Sequence, residues 1–324
     1  MFNSRHPIPL AMAMLTFVCA GASAQTYPDR PVRIVVGFAP GGTVDVPTRI
    51  VATRLASVLG ANVIVENKPG AGGNIAASLV AKSAPDGYTL HACGISSHGI
   101  NSALFAKMPY DPVRDFAPIS MIGTVPNVLI VHPSMPVSSM GEFIAYAKAN
   151  PGKVNVASAG IGTSQHLSIE LLNSVAAIKL VHVPYKGGAP AMSDLLGGQV
   201  PAMVSGLPSA LQAIKAGKVR AIAVTTQKRS RQLPDVPTIS QAGVAGYDVT
   251  SWLGLCAPSG VPAAVLTRLN KDLHTVLSMS EVKHDLGEQG YEVAPTTAAE
   301  LSTFIRAELP KWAKVVNEAG ITPE

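Results

Sequence analysis

The chain reads as an α/β protein in two halves, each a parallel sheet covered by helices. Three observations predict this. Along residues 32–93, short β-rich runs alternate with helical stretches in the order βαβαβ, which implies parallel strands joined by crossover helices. The same alternation restarts near residue 128 and continues to residue 225. In both halves a strand also feeds a helix through a glycine-rich turn. With 324 residues the chain is long enough for two domains of ordinary size.

In the first half, Val32 to Phe38 is an apolar strand ending in a Gly-rich turn. A helix follows from Asp45 to Leu59, with Ile50, Val51, Leu55, Val58 and Leu59 on one side. Asn62 to Glu66 is the second strand. Asn74 to Ala84 is a helix stopped by Pro85-Asp86-Gly87, and Tyr88 to Cys93 is the third strand. In the second half, strands are expected at Val128 to His132, Val154 to Ala157, Leu180 to Val183, Ala202 to Ser205 and Val219 to Thr225. Helices are expected at Met140 to Asn150, Gln165 to Asn173, Ala189 to Gly197 and Ser209 to Ala216. Helices near Pro262 to Ser278, Ser280 to Glu288 and Thr297 to Ala319 close the chain.

Composition narrows the function. The chain is 47% hydrophobic and 14% charged, against a usual charged fraction of about 25%. That excludes a disordered chain. The net charge of +5 is spread thinly, with no basic run of the kind a nucleic-acid binder needs. The first 24 residues read as an export signal: Arg5, an apolar stretch from Ile8 to Ala20, then Ala22-Ser23-Ala24 before a cleavage point. Gln25 is the expected mature N-terminus and the periplasm the expected location. An uncleaved anchor is the alternative, and Cys19 raises a lipoprotein reading that Thr16-Phe17-Val18 does not favour. Cys93 and Cys256 remain after cleavage. They form either a disulfide, which an oxidising compartment permits, or two buried thiols on strands.

Two turns carry the functional signal. Phe38-Ala39-Pro40-Gly41-Gly42-Thr43-Val44-Asp45 and Ala159-Gly160-Ile161-Gly162-Thr163-Ser164 each join a strand to a helix. Glycines let backbone approach a ligand, and a helix N-terminus offers unpaired N–H groups and partial positive charge. Such turns are also common as purely structural devices. Asp45 reads either as a cap for the helix that follows, with Pro47 in its first turn, or as a ligand contact. Neither turn has a phosphate-loop ending, and Gln165 replaces the last residue of a dinucleotide fingerprint. Gly94-Ile95-Ser96-Ser97-His98 looks like a nucleophile elbow, except that His98 replaces the second glycine. His98 and His166 have no metal-ligand spacing, so no metal, cofactor or catalytic residue is expected.

An ordered set of segments resembles the extracytoplasmic receptors of tripartite tricarboxylate transporters, the Bug or TctC-like family. It includes the 38–45 loop, Glu66-Asn-Lys-Pro-Gly-Ala-Gly-Gly-Asn74, Ala84-Pro-Asp-Gly-Tyr-Thr-Leu90 and Tyr110-Asp-Pro-Val-Arg-Asp-Phe116. Gly160 to His166, His182-Val-Pro-Tyr-Lys-Gly-Gly188, Leu233-Pro-Asp-Val-Pro-Thr238 and Ser251-Trp252 continue it. The resemblance implies a two-domain periplasmic-binding-protein fold of type II-like, clamshell form, with parallel or mixed sheets flanked by helices. It implies domain 1 over residues 25–125 and 250–324, and domain 2 over 126–249. It further implies a carboxylate gripped by Phe38, Ala39, Gly41, Gly42 and Asp45 on one side and Gly160, Thr163 and Ser164 on the other. Ser96, Ser97 and Ser205 would line the wall. The implied partners are a small-molecule carboxylate and membrane permease subunits, for a monomeric receptor. Ser205-Gly206 is small and neutral where many relatives carry an acid or amide, and Gln165 stands where Ser or Thr is frequent. The ligand's identity therefore stays open.

Three functions compete. A binding module without chemistry leads. A periplasmic hydrolase using Ser96 and His98 lacks the elbow glycine and an evident triad order. A sensory adaptor would bind the same ligand and signal to a membrane kinase.

Overall fold

The computed structural model describes residue 1 and residues 27–321. The expected signal segment, its cleavage after Ala24 and Cys19 lie outside the described residues.

The first half runs β1 (Val32–Val36), α1 (Asp45–Leu59), β2 (Val63–Asn67), α2 (Asn74–Ala81) and β3 (Thr89–Gly94). A widened helical turn, Ser96–Ile100, continues into α3 (Asn101–Leu104), and β4 (Phe116–Val131) follows. Next come α4 (Met140–Ala149), β5 (Val154–Ser158), α5 (Ser164–Ala176), β6 (Leu180–Pro184) and α6 (Gly188–Leu196). Then come β7 (Ala202–Gly206), α7 (Leu207–Lys215), β8 (Arg220–Val224) and β9 (Thr250–Pro258). The chain closes with α8 (Ala263–Ser278), α9 (Ser280–Glu288), β10 (Glu292–Val293) and α10 (Ala298–Glu318).

The strands hydrogen-bond along one path, β2-β1-β3-β9-β4-β7-β5-β6, with β8 and β10 also pairing β4. Two wings share it. In the first, β1 pairs β2 and β3 in parallel, and β9 runs antiparallel to β3 and β4. In the second, β5 pairs β6 and β7 in parallel, and β4 runs antiparallel to β7 and β8. The α/β expectation therefore holds, with mixed rather than purely parallel sheets.

β4 belongs to both wings. It pairs β9 as far as Pro126, opposite Thr250, and pairs β7 from Asn127, opposite Gly206. Its residues are mostly apolar, with Pro118, Ser120, Gly123, Thr124, Pro126 and Asn127 between them. Pro118 is tolerated because the register to β9 shifts between Pro118 and Ser120, where a bulge removes the need for a ladder donor.

Burial alternates with the strand period. Val35 packs into one buried cluster, and Val32, Ile34 and Val36 into the other. Leu129 and Val131 of β4 join the first cluster, Val128 and Ile130 the second, so each face of the sheet carries a core that spans both wings. Cys93 on β3 and Cys256 on β9 are disulfide-bonded, with Cα atoms 5.9 Å apart, which settles the choice left open above. Among the described residues no helix is long and apolar enough to cross a membrane.

Candidate functional site

A cavity lies at the carboxyl ends of the parallel strands of both wings, where open α/β sheets bind ligands. Its empty space, including open solvent at the mouth, is about 800 Å³. Gly42, Thr43 and Val44 bring the start of α1 to its wall, and Gly73 brings the start of α2. From the other wing come Ser164 and Gln165 of α5, Gly188 and Ala189 of α6, and Gly206 and Ser209 at α7. Five helices thus begin at one cavity. Phe38, Ala92, Ile95, Met203 and Trp252 supply apolar surface, and no Lys, Arg, Asp or Glu lines it. Helix N-termini carry partial positive charge and unpaired amides, so the cavity can favour an anion without a charged side chain in its wall.

The sequence-predicted residues divide into two groups. Phe38, Ala39, Gly42, Ser96, Ser97, Ser164 and Ser205 line the cavity together. Gly41, Asp45, Gly160 and Thr163 do not line it; they build the turns behind it. Asp45 is buried but does not cap α1, whose N-cap is Val44 without a side-chain bond. Its carboxylate accepts from Gly41 N–H at 2.8 Å, Arg49 Nε at 3.0 Å and Asn67 Nδ2 at 2.8 Å. Burial pushes this carboxyl up, but the bonds from Arg49, Gly41 and Asn67 outweigh it and hold the group below the ordinary carboxylate range. Thr163 caps α5: its Oγ1 accepts from His166 N–H at 3.2 Å and donates to Gly160 O at 2.6 Å. That cap uses the third amide of the helix and leaves those of Ser164 and Gln165 without an intrahelical partner. Gly160 has φ +125°, and a Cβ there would stand 2.7 Å from Tyr185 O.

Behind the Ser96–Ser97 wall, His91 is buried and titrates at about 4, lowered by desolvation. Its Nδ1 lies 3.2 Å from Val35 O and must donate there, so Nε2 accepts from Ser97 Oγ at 3.2 Å. Ser97 Oγ in turn accepts from His98 Nδ1 at 3.0 Å. Burial, and then His91, hold the His98 pKa well below the usual value, which favours its neutral ring. The hydrolase pair considered above does not form: His98 bonds Ser97, not Ser96, and no carboxylate orients His91.

Sequence reasoning did not assign His91, Ser209, Ser251 or Trp252 to the wall, and it noted Gln165 only as a departure from the family pattern. Ser209 carried a signal, since Pro208 just inside a helix start marks another strand-to-helix turn. Trp252 carried only the family resemblance of Ser251-Trp252, and its place in the wall was hidden because β9 returns to β3 from more than a hundred residues away. Asn127, fully buried where β4 changes wing, was also missed. Its Nδ2 donates to Ser164 Oγ at 3.1 Å and its Oδ1 accepts from Gln165 Nε2 at 3.2 Å, which orients two wall residues.

The wings meet over the cavity. Thr43 Oγ1 and Ser209 Oγ are 3.2 Å apart across it, and a Cβ on Gly206 would lie 2.1 Å from Thr43 Oγ1.

Residues 48–321 match the model of the tripartite tricarboxylate transporter family receptors. The chain belongs to this family. BugT of Bordetella pertussis is 38% identical over 306 residues, covering 94% of this chain and 93% of that protein. The structure of R. palustris Rpa4515 with adipate has a TM-score of 0.89 at 38% identity, covering 92% of this chain and all of that one. MatC of Rhodopseudomonas palustris with bound malate has a TM-score of 0.84 at 35% identity, covering 90% of this chain and all of that one. The family is one of transporter receptors, and a solved relative, BugD, is a periplasmic binding protein with a TM-score of 0.88 at 37% identity, covering 92% of this chain and all of that one.

Proposed function

We propose that this chain captures a small carboxylate between its two wings outside the cytoplasmic membrane and delivers it to the permease subunits of a tripartite transporter. The observation that carries the reading is an uncharged cavity at which five helices begin. Such a site attracts an anion without the desolvation cost of a buried lysine or arginine. Ser96 Oγ, Gln165 and Ser164 would bond the carboxylate, while Phe38, Ile95, Met203 and Trp252 would cover an aliphatic backbone. Adipate and malate in the two related structures belong to the same ligand class. In this reading the domains are 25–125 with 250–324, and 126–249, the mature monomer starts at Gln25, and binding closes one domain on the other.

Calorimetry on the mature protein tests it, with adipate and malate set against their dimethyl esters. At least one diacid should bind saturably. Losing charge-assisted hydrogen bonds, each worth about 1.5–3 kcal/mol, should weaken its ester more than about tenfold. Esters or neutral sugars that bind as tightly as the acids would refute the reading.

A further inference from the structure

Outside the cavity wall, on the second wing, three side chains converge that the carboxylate site does not use. His166 and Glu170 are one helical turn apart on α5, and His182 projects from β6. One ring nitrogen from each histidine and one carboxylate oxygen lie within 4.8 Å of one another. The imidazole rings stack with centroids 4.2 Å apart, and His166 Nε2 lies 3.9 Å from Glu170 Oε1.

A second observation points to a ligand. His166 is only 7% exposed, yet among the described residues its ring makes no hydrogen bond, and its Nδ1 is buried without a partner. A buried imidazole left so is rare in folded proteins. Outer partners already hold the other two groups. Asn173 Nδ2 donates to Glu170 Oε2 at 3.2 Å, and Ser158 Oγ contacts His182 Nε2. That is the arrangement by which metal ligands are oriented.

We propose that His166, Glu170 and His182 bind a divalent cation of the zinc class. Two imidazoles and one carboxylate are a donor set for such ions, with water completing the coordination. Tetrahedral ligands at about 2.1 Å from zinc stand about 3.4 Å apart, so small side-chain rotations close the set. The ion would tie α5 to β6 directly behind Gly160–Ser164, at the helix start that faces the carboxylate cavity. Its positive charge would add to that of the helix end.

The test uses untagged mature protein stripped with EDTA, with cobalt(II) as spectroscopic probe and zinc(II) as competitor, in the absence of any carboxylate ligand. Its outcome is therefore separate from that of the carboxylate reading. The wild type should take up one equivalent of cobalt with the visible bands of a four- or five-coordinate ion, and zinc should displace it. Glu170→Gln, isosteric and on a partly exposed side chain, and His182→Ala should each lower affinity by at least about 100-fold, since even outer partners are worth about 10–100-fold. Circular dichroism should show both variants folded; if His182→Ala is not, Glu170→Gln alone decides. Absence of saturable uptake by the wild type, or equal affinity in wild type and Glu170→Gln, would overturn the proposal.

Discussion

The carboxylate of Asp45 accepts donors from Gly41, Arg49 and Asn67 and so fixes the turn that carries Gly42 and Thr43 to the cavity. Its effect on binding is indirect, and a variant should show that. Arg49 is about half exposed (47%), so solvent screening trims that ion pair, and Asp45→Asn should cost about 1–2 kcal/mol of stability. Affinity should fall for every carboxylate alike, because the side chain does not line the cavity. The pH dependence has a definite sign. A carboxyl lowered by folding contributes stability above its unfolded pKa of about 3.9, and that contribution is lost as pH falls through the lower folded value. The gap between wild type and variant should thus be steady at neutral pH and shrink below about pH 4. Urea unfolding at several pH values measures it; equal stabilities at pH 7 would contradict this role.

At the scale of elements, the site is a ring of helix starts, and how closely they approach depends on small residues. Gly206 precedes α7 with φ −63° and ψ 137°, a conformation alanine adopts freely. Its missing Cβ is what admits Thr43, whose own Cβ would be 2.9 Å away. An alanine Cβ fits against Thr43 only if the wings part there, so Gly206→Ala should weaken carboxylate binding more than about tenfold while each wing stays folded. Thermal melting and calorimetry on the same sample separate the two; unchanged affinity would mean that the wings need not come this close. Helices such as Asp45–Leu59 and Ser280–Glu288 were legible in place and approximate length, because their apolar spacing and flanking breakers agree. β9 and the first part of β4 were not. Pro118 and Pro126 interrupt the run, where proline argues against a central strand, and only the bulge opposite β9 makes Pro118 compatible with one. In the site, the two glycine-rich turns were legible as anion-suited. Which of their residues face the cavity and which hold the turn was not, since Asp45 and Thr163 differ from their neighbours only in where their bonds go.

At the scale of the molecule, one continuous sheet changes wing at β4 and returns through β9, so the two halves share a core on each face yet meet again over the cavity. In the proposed reading, the donors offered to a ligand are divided between halves: Ser96 and the α1 start line the cavity on one, Ser164, Gln165 and Ser209 on the other. A carboxylate satisfied by both favours the closed arrangement by its differential affinity for it. The most direct measurement is a crystal structure of the mature protein with the tightest-binding diacid from the calorimetric panel. The expected result is a carboxylate within hydrogen-bond distance of the Ser164 or Gln165 amide and of a donor from the Gly42–Ser97 side. A diacid held by one wing alone, or seated in the separate groove lined by Lys228, Arg229 and Lys283, would contradict capture between the wings.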